Sequence, residues 1–329
     1  MKKITKTMIA FMLIGCQLFV GCGSFSVEDE SGALAYTGSK SFEYYDVGND
    51  RNADFLTGRG TEVCIPSGTS KEENGDSGCV YGLYRVTDNK VLDESGVFDR
   101  VYPASTTKLL TALVALKHCN LSEKVTFSYN ASHIGVSGAM LCGFKEGDTI
   151  ALGDLLAAFL ISSGNDAGIA IAEHISGSEE AFAVLMNEEA MKLGAVDTHF
   201  VNAHGLHNRE HYTTAYDVYL VMNELIHYNS FLSIISMPTC EVNYTDAAGN
   251  EMTKTFESTN LYFVGSFKAP EEIEIVGGKT GSTYAAGCCL VLYFKDNKGN
   301  SYVAEVFHAP TYEMLYSKMT ELMKKAVSE

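Results

Sequence analysis

The chain has 329 residues, 46% of them hydrophobic, and a formal charge of −17. That length and apolar content bury one large core or two interleaved ones and exclude a disordered chain. The acidic balance argues against nucleic acid or anionic lipid as a partner, and any carboxylate ligand would need a local positive charge at its site.

At the amino terminus Lys2, Lys3 and Lys6 precede an apolar run over residues 8–20, with small residues around Cys16 and Cys22. This is the pattern of an export signal, too short and too interrupted by glycine for a membrane span. Leu13-Ile14-Gly15-Cys16 and Phe19-Val20-Gly21-Cys22 both have the form of a bacterial lipoprotein cleavage box, in which the cysteine takes the lipid. Cutting before Cys16 fits the box better but leaves Leu18, Phe19 and Val20 in the tether. Cutting before Cys22 uses the whole apolar run and is the preferred expectation; an ordinary signal, cleaved or not, is the alternative. Loss of residues 1–21 removes three lysines and takes the charge from −17 to −20. Residues 22–60 are rich in Gly, Ser, Asp and Glu without periodicity and read as a flexible acidic tether.

With Cys22 lipidated and Cys16 removed, Cys64, Cys79, Cys119, Cys142, Cys240, Cys288 and Cys289 remain, an odd number. Cys64 and Cys79 flank a polar insertion, but spacing does not determine their pairing. No Cys-x-x-Cys pair occurs, so no metal is expected. Cys288 and Cys289 lie in an apolar strand and read as buried thiols.

Residues 82–87 and 91–92 form two short strands around the turn Asp88-Asn89-Lys90. Pro103 then starts a helix at Ser105, with Leu109, Leu110, Leu113, Val114 and Leu116 on its apolar face. From about 119 to 231 the pattern is helical. A helix over 155–161 breaks at Ser162-Ser163-Gly164 and resumes over 167–174, which puts Ser163 and Asn165 on the joint. Ser176-Gly177-Ser178-Glu179 resembles a capping box for a helix that Gly194 stops. Glu188 and Glu189 read as the solvated face of that helix. Strands follow at 273–276, 287–294 and 302–307, then an amphipathic helix over 312–327.

Three short motifs carry chemistry. Ser105-Thr106-Thr107-Lys108 sets a hydroxyl one helical turn from an amine, on the same helix face. A serine needs a base within reach, and a lysine can be one when burial or nearby positive charge lowers its pKa. Ser163-Gly164-Asn165 adds a second hydroxyl and an amide, and Lys279-Thr280-Gly281 adds an ammonium, a hydroxyl and a glycine that permits close approach to the backbone. In this order the trio is that of penicillin-binding proteins and class A β-lactamases. Ser105 begins the only Ser-x-x-Lys and Lys279 the only Lys-Thr-Gly; another Ser-x-Asn, Ser258-Thr259-Asn260, lies too near Lys279 for the expected order and reads as structural.

Further matches extend these motifs. Tyr102-Pro103-Ala104-Ser105, Ile161-Ser162-Ser163-Gly164-Asn165-Asp166-Ala167, Ala203-His204-Gly205-Leu206, Tyr212-Thr213-Thr214-Ala215 and the run from Gly278 through Gly287 together resemble the D-alanyl-D-alanine carboxypeptidases, the low-molecular-mass penicillin-binding proteins, over about residues 78–325. The resemblance implies an α/β (α+β) fold of the penicillin-binding-protein and β-lactamase type, an antiparallel sheet flanked by helices with an inserted all-helical subdomain. The α/β part would span about 61–118 and 232–329, and the helical part about 119–231.

The same resemblance implies roles. Ser105 is the expected nucleophile, Lys108 its base, and Ser163 the relay to the leaving amine. Asn165 would hold the substrate amide, while Lys279 and Thr280 bind the terminal carboxylate. Gly281 and Ser282 line the site, the N–H groups of Ser105 and Ser282 form an oxyanion hole, and Thr283 lies near the substrate. The expected partners are a peptidoglycan stem peptide, β-lactams as covalent inhibitors, and the outer face of the bacterial cytoplasmic membrane through an N-terminal lipid. No cofactor is expected. Many family members carry a further β-rich domain and a carboxy-terminal anchor; here the N-terminal lipid is expected to replace that anchor.

Gly278-Lys279-Thr280 is not a phosphate-binding loop, because Ile273 stands where that pattern needs glycine. His207-Asn208-Arg209-Glu210-His211 matches the H-x-x-E-H metallopeptidase string, but Gly205 before it and Thr213-Thr214 after it place it in a loop rather than on a zinc-binding helix. His204 reads as a structural histidine. A β-lactamase of this fold would need a Glu-x-x-x-Asn loop, which is not apparent between Asn165 and Lys279. From a different class, a catalytically silent wall-binding lipoprotein would keep the cleft without the chemistry.

Overall fold

The computed structural model describes residues 63–67 and 78–329, and near the amino terminus two short strands, β1 (Val27–Glu28) and β2 (Leu34–Ala35). These strands pair antiparallel, Val27 opposite Ala35, within the unit Met1–Lys40. The export segment with Cys16 and Cys22 lies outside the described residues, as does most of the 22–60 stretch.

The unit Ser41–Glu329 holds the remaining elements. In chain order they begin with β3 (Val80–Arg85), β4 (Lys90–Ser95), a 3-10 turn over Ala104–Thr106, α1 (Thr107–His118), β5 (Lys124–Thr126) and α2 (Tyr129–Ser132). Next come β6 (Thr149–Ala151), α3 (Leu152–Ser162), α4 (Asn165–Ser176), α5 (Glu179–Lys192), α6 (Ala215–Leu225) and α7 (Asn229–Ile235). The chain closes with β7 (Thr239–Thr245), β8 (Glu251–Glu257), β9 (Ile273–Thr283), β10 (Gly287–Asp296), β11 (Ser301–Ala309) and α8 (Tyr312–Ser328).

Five antiparallel strands form the main sheet in the order β4-β3-β11-β10-β9. Its two faces follow from strand periodicity, since alternate side chains point to opposite sides. Leu290, Leu292 and Phe294 of β10, with Tyr302, Ala304 and Val306 of β11, pack under α8 against Leu315, Met319 and Met323. Cys289, Val291 and Tyr293, with Val303 and Phe307, face the larger core built by the helices. The sheet is therefore covered on both faces. Helix α1 runs through the larger core with Thr107 to Leu116 all buried, as an apolar helix with no solvent face must.

The expected antiparallel sheet with flanking helices is present, but the inserted part is not all helical. Strands β5 and β6 fall inside 119–231 and join β7 and β8 in a four-stranded sheet, β5-β6-β7-β8. Each has three residues, too few for a two-residue period to register, and the strands that complete their ladder lie far along the chain. The capping box read from Ser176 to Glu179 does not form: Ser176 ends α4, the cap of α5 is Ser178, which accepts from the N–H of Ala181, and Glu179 reaches His204. Glu188 is exposed as expected. Glu189 is not on the solvated face; it is buried and paired with Lys192 at 2.6 Å and Lys117 at 3.1 Å.

Cys64 and Cys79 form no disulfide and belong to different core clusters, so no bridge spans the polar insertion. Cys288 and Cys289 are buried and free. No described helix is long and apolar enough to cross a membrane.

Candidate active site

Ser105 sits in the 3-10 turn before α1 rather than in the helix itself, because Ala104 takes a left-handed φ of 47° just after Pro103. The turn is tied down by short bonds: Thr106 Oγ1 donates to Pro103 O at 2.7 Å and Thr107 Oγ1 to Ala104 O at 2.8 Å. Lys108 follows in the first turn of α1, and its amine lies 3.0 Å from Ser105 Oγ. Two more acceptors surround the same amine, Asn165 Oδ1 at 2.8 Å and the carbonyl of His204 at 2.6 Å.

This seat decides what the lysine can do. A neutral amine has two N–H bonds and one lone pair. Asn165 and His204 take the two N–H bonds, which leaves the lone pair facing the Ser105 hydroxyl. Burial, and then the charge of Lys279, push the Lys108 pKa well below its ordinary value of 10.5. The free-base form that can accept a proton is thus favoured by the surroundings.

Ser163 occupies the joint between α3 and α4, where a left-handed φ of 65° ends the first helix and Gly164 leads into the second. Its hydroxyl accepts from Lys279 Nζ at 3.0 Å, and Lys279 also donates to Thr280 O at 2.9 Å. With two of three ammonium hydrogens used, one remains for a ligand. Lys279 is 1% exposed, and burial lowers its pKa to about 7. The charge of Lys279 is among the causes that lower the Lys108 pKa, so a charge on one disfavours a charge on the other.

Strand β9 brings Lys279, Thr280, Gly281, Ser282 and Thr283 along one wall. Gly281 lines the cleft and also serves packing. A Cβ there would come within 2.8 Å of Ser105 N and 3.1 Å of Thr106 N, so the missing side chain lets the turn that carries Ser105 pack on the strand. Ser282 is exposed, and its hydroxyl lies 2.9 Å from that of Tyr312 at the start of α8. Thr283 Oγ1 accepts from Ala286 N at 3.0 Å and shapes the β9–β10 hairpin.

Between these walls is a cleft of about 570 Å³ that contains Ser105, Ser163, Asn165, Thr280, Ser282 and Thr283. All nine residues singled out along the described chain therefore converge on one region. None of the cleft-lining residues is a carboxylate.

Several contributors were not legible as such. His204 acts through its backbone carbonyl, which no side-chain motif reports; its ring is fixed by Glu179 at 3.0 Å and by the Leu206 N–H at 3.1 Å. Thr259, from the Ser-x-Asn copy read as structural, lines the cleft and lies 2.6 Å from Thr280 Oγ1. Gly205 has a φ of 88°, and a Cβ there would overlap Ala104 O at 1.8 Å, so the loop under the Ser105 turn admits only glycine. The string 207–211 lies in a loop, as expected, and His211 is buried against Thr107.

Residues 81–311 match the family profile of D-alanyl-D-alanine carboxypeptidases. The chain is 33% identical over 246 residues to D-alanyl-D-alanine carboxypeptidase DacF of Bacillus subtilis, covering 73% of this chain and 59% of that one. It is 34% identical over 210 residues to DacC of Escherichia coli, covering 61% and 49%. The chain thus spans about half the length of the curated relatives it matches. Among solved structures, a Streptomyces DD-transpeptidase superposes with a TM-score of 0.70 at 24% identity, covering 76% of this chain and 97% of that one. That likeness establishes the fold.

Proposed function

The chain belongs to the D-alanyl-D-alanine carboxypeptidase family, and from that premise we propose that it is a serine peptidase removing the terminal D-alanine of peptidoglycan stem peptides. The observation that carries this reading is the seat of Lys108, whose two N–H bonds are matched by Asn165 and His204 while the lone pair meets Ser105.

In the proposed reaction Ser105 Oγ attacks the carbonyl between two D-alanines as Lys108 takes its proton. The Ser105 and Ser282 N–H groups hold the oxyanion, an interaction typically worth about 3 kcal/mol in a transition state. Ser163 relays a proton to the leaving amine, which departs as D-alanine, and a serine ester remains. Water then cleaves the ester with Lys108 as base, returning the proton to Ser105. Asn165 orients the substrate amide. Lys279 and Thr280 bind the terminal carboxylate, the local positive charge that an acidic body requires. β-Lactams, which present a similar carbonyl and carboxylate, would acylate Ser105 and stay.

The absence of a carboxylate among the described cleft residues favours this reading over a β-lactamase, which needs one to activate the deacylating water. We place the enzyme outside the cytoplasm, held on the outer face of the membrane by a lipid on Cys22, with Cys16 as the alternative; palmitate labelling of C22A and C16A variants separates the two.

The test is to incubate the purified protein and its Ser105→Ala form with a fluorescent penicillin, and to follow D-alanine release from a pentapeptide ending in D-Ala-D-Ala. Labelling and release that both require Ser105 and persist in a chelator are expected. Labelling without release would make it a transpeptidase or sensor. Neither signal from folded protein would leave a silent wall-binding lipoprotein.

A further inference from the structure

A second cluster of reactive groups lies well away from the cleft. Cys119 caps the C-terminus of α1, Glu123 ends the tight turn that follows, and His174 sits in the last turn of α4. One ligand atom from each, a thiol sulfur, a carboxylate oxygen and an imidazole nitrogen, lie within 4.8 Å of one another. Glu123 is already oriented: one oxygen accepts from Asn120 N at 2.7 Å and the other lies 3.0 Å from His174 Nε2.

We infer that Cys119, Glu123 and His174 form a zinc site that clamps the far ends of α1 and α4. A sulfur, a nitrogen and an oxygen donor match a borderline-soft cation and not calcium or magnesium, and three protein ligands plus a water complete a tetrahedron. Zinc bonds of about 2.0–2.3 Å put tetrahedral donors about 3.5 Å apart, so side-chain adjustments of about 1 Å close the cluster around the ion. Binding would break the Cys119 S–H bond, form Zn–S, and release that proton to solvent. With a thiolate, a carboxylate and a neutral imidazole, the loaded site carries no net charge.

Charge gives a second reason. The C-terminal ends of both helices present partial negative charge, and a carboxylate and a thiol gather there as well. A divalent cation relieves that concentration. Entry is open, because the His174 and Glu123 side chains are 22% and 42% exposed while Cys119 is buried beneath them. The site is structural rather than catalytic. Each helix has 12 residues, about 18 Å of rise, and the catalytic groups Lys108 and Asn165 lie at the opposite ends. A zinc there would fix the splay of the two helices that carry the nucleophile's base and the substrate's amide clamp. The inference does not depend on the proposed reaction.

The experiment strips the full chain with a chelator, dialyses it under reducing conditions against a slight excess of zinc, and measures bound metal and melting temperature. One zinc per chain and a higher melting temperature are expected. Cys119→Ser and His174→Ala should each lose the metal and the thermal gain, while Cys240→Ser, altering a buried thiol elsewhere, keeps both. Cobalt replaces zinc as a spectroscopic probe, and a thiolate charge-transfer band present in wild type and Cys240→Ser but lost in Cys119→Ser ties the metal to that sulfur. Less than a tenth of an equivalent of zinc overturns the site. So does uptake unaffected by either variant, and stoichiometric uptake without a rise in melting temperature overturns the clamp. The unloaded variants are compared with unloaded wild type by circular dichroism, so that misfolding is not mistaken for loss of a ligand.

Discussion

The Nε2 atom of His211 lies 2.8 Å from Oγ1 of Thr107, two residues beyond Ser105. The Val201 N–H donates to His211 Nδ1 at 3.1 Å, so the ring's proton is on Nε2 and is given to Thr107. Thr107 in turn donates to Ala104 O, the carbonyl of the residue held at positive φ. A buried chain of three hydrogen bonds thus braces the conformation that presents Ser105. Burial first, then the neighbouring histidines, push the His211 pKa down to about 3, so the chain keeps its polarity throughout the working pH range.

Replacing His211 by Phe should leave the Thr107 hydroxyl without its donor and cost about 1–3 kcal/mol of stability. If half of that strain reaches the nucleophile turn, penicillin acylation slows about threefold to tenfold. Gln at the same place can still donate from its amide nitrogen and should recover most of the rate. Equal acylation rates for His211→Phe and wild type, by stopped-flow with a fluorescent penicillin, would refute the brace.

Lys108 offers a sharper contrast. Arg at that position would keep a positive charge near Asn165 and the His204 carbonyl but cannot be deprotonated in a protein. Lys108→Arg is expected to lower acylation by at least about a hundredfold, the upper range of a single general base being about 10⁴. Substrate binding should change far less. A variant acylating within threefold of wild type would remove Lys108 from the role of base.

The charge on Lys279 sets the expected pH dependence. Its pKa falls to about 7 because the buried ammonium loses hydration, so free enzyme holds the charge below that pH and loses it above. A bound carboxylate favours the charged form. Affinity for a peptide with a free terminal carboxylate should therefore weaken above about pH 7, approaching tenfold per pH unit by linkage. The same peptide ended as an amide should show no such trend. On the acid side, protonation of Lys108 removes the base and acylation falls. Parallel KM–pH curves for the acid and the amide would show that Lys279 does not read the carboxylate.

How much of this was legible depended on the range of the signal. Ser105 and Lys108 share one helical turn, and Ser163 and Asn165 flank a break that Gly164 marks, so both pairs could be read locally. The strand carrying Lys279 was announced by its apolar neighbours. What escaped was either too short, as with the three-residue β5 and β6, or carried by backbone atoms, as with the His204 carbonyl at Lys108. The packing role of Gly281 was likewise hidden, since only the fold shows that a Cβ there would come within 2.8 Å of Ser105 N. The pairing of Glu189 with Lys117 was hidden for the same reason: 72 residues separate them, and a helical wheel of α5 alone places the carboxylate in solvent.

Tyr312 is the cleft residue whose role is most open to direct measurement. It opens α8 beside the Thr311 cap, is partly exposed, and sets its hydroxyl 2.9 Å from Ser282 Oγ. Nothing in the local sequence ties it to β9, 30 residues earlier. The pair presents two neutral hydroxyls on the wall where Lys279 and Thr280 would hold a carboxylate. Removing the Tyr312 hydroxyl frees Ser282 to rotate and withdraws one donor from the ligand, a loss of about 0.5–1.5 kcal/mol. Tyr312→Phe should raise KM for the D-Ala-D-Ala peptide about twofold to tenfold while leaving kcat within twofold, because the contact is made equally in ground and transition states. The ring itself stays, so packing at the start of α8 and the melting temperature should hold. A fall in kcat with unchanged KM would instead place the hydroxyl on the reacting carbonyl, through Ser282 and its N–H.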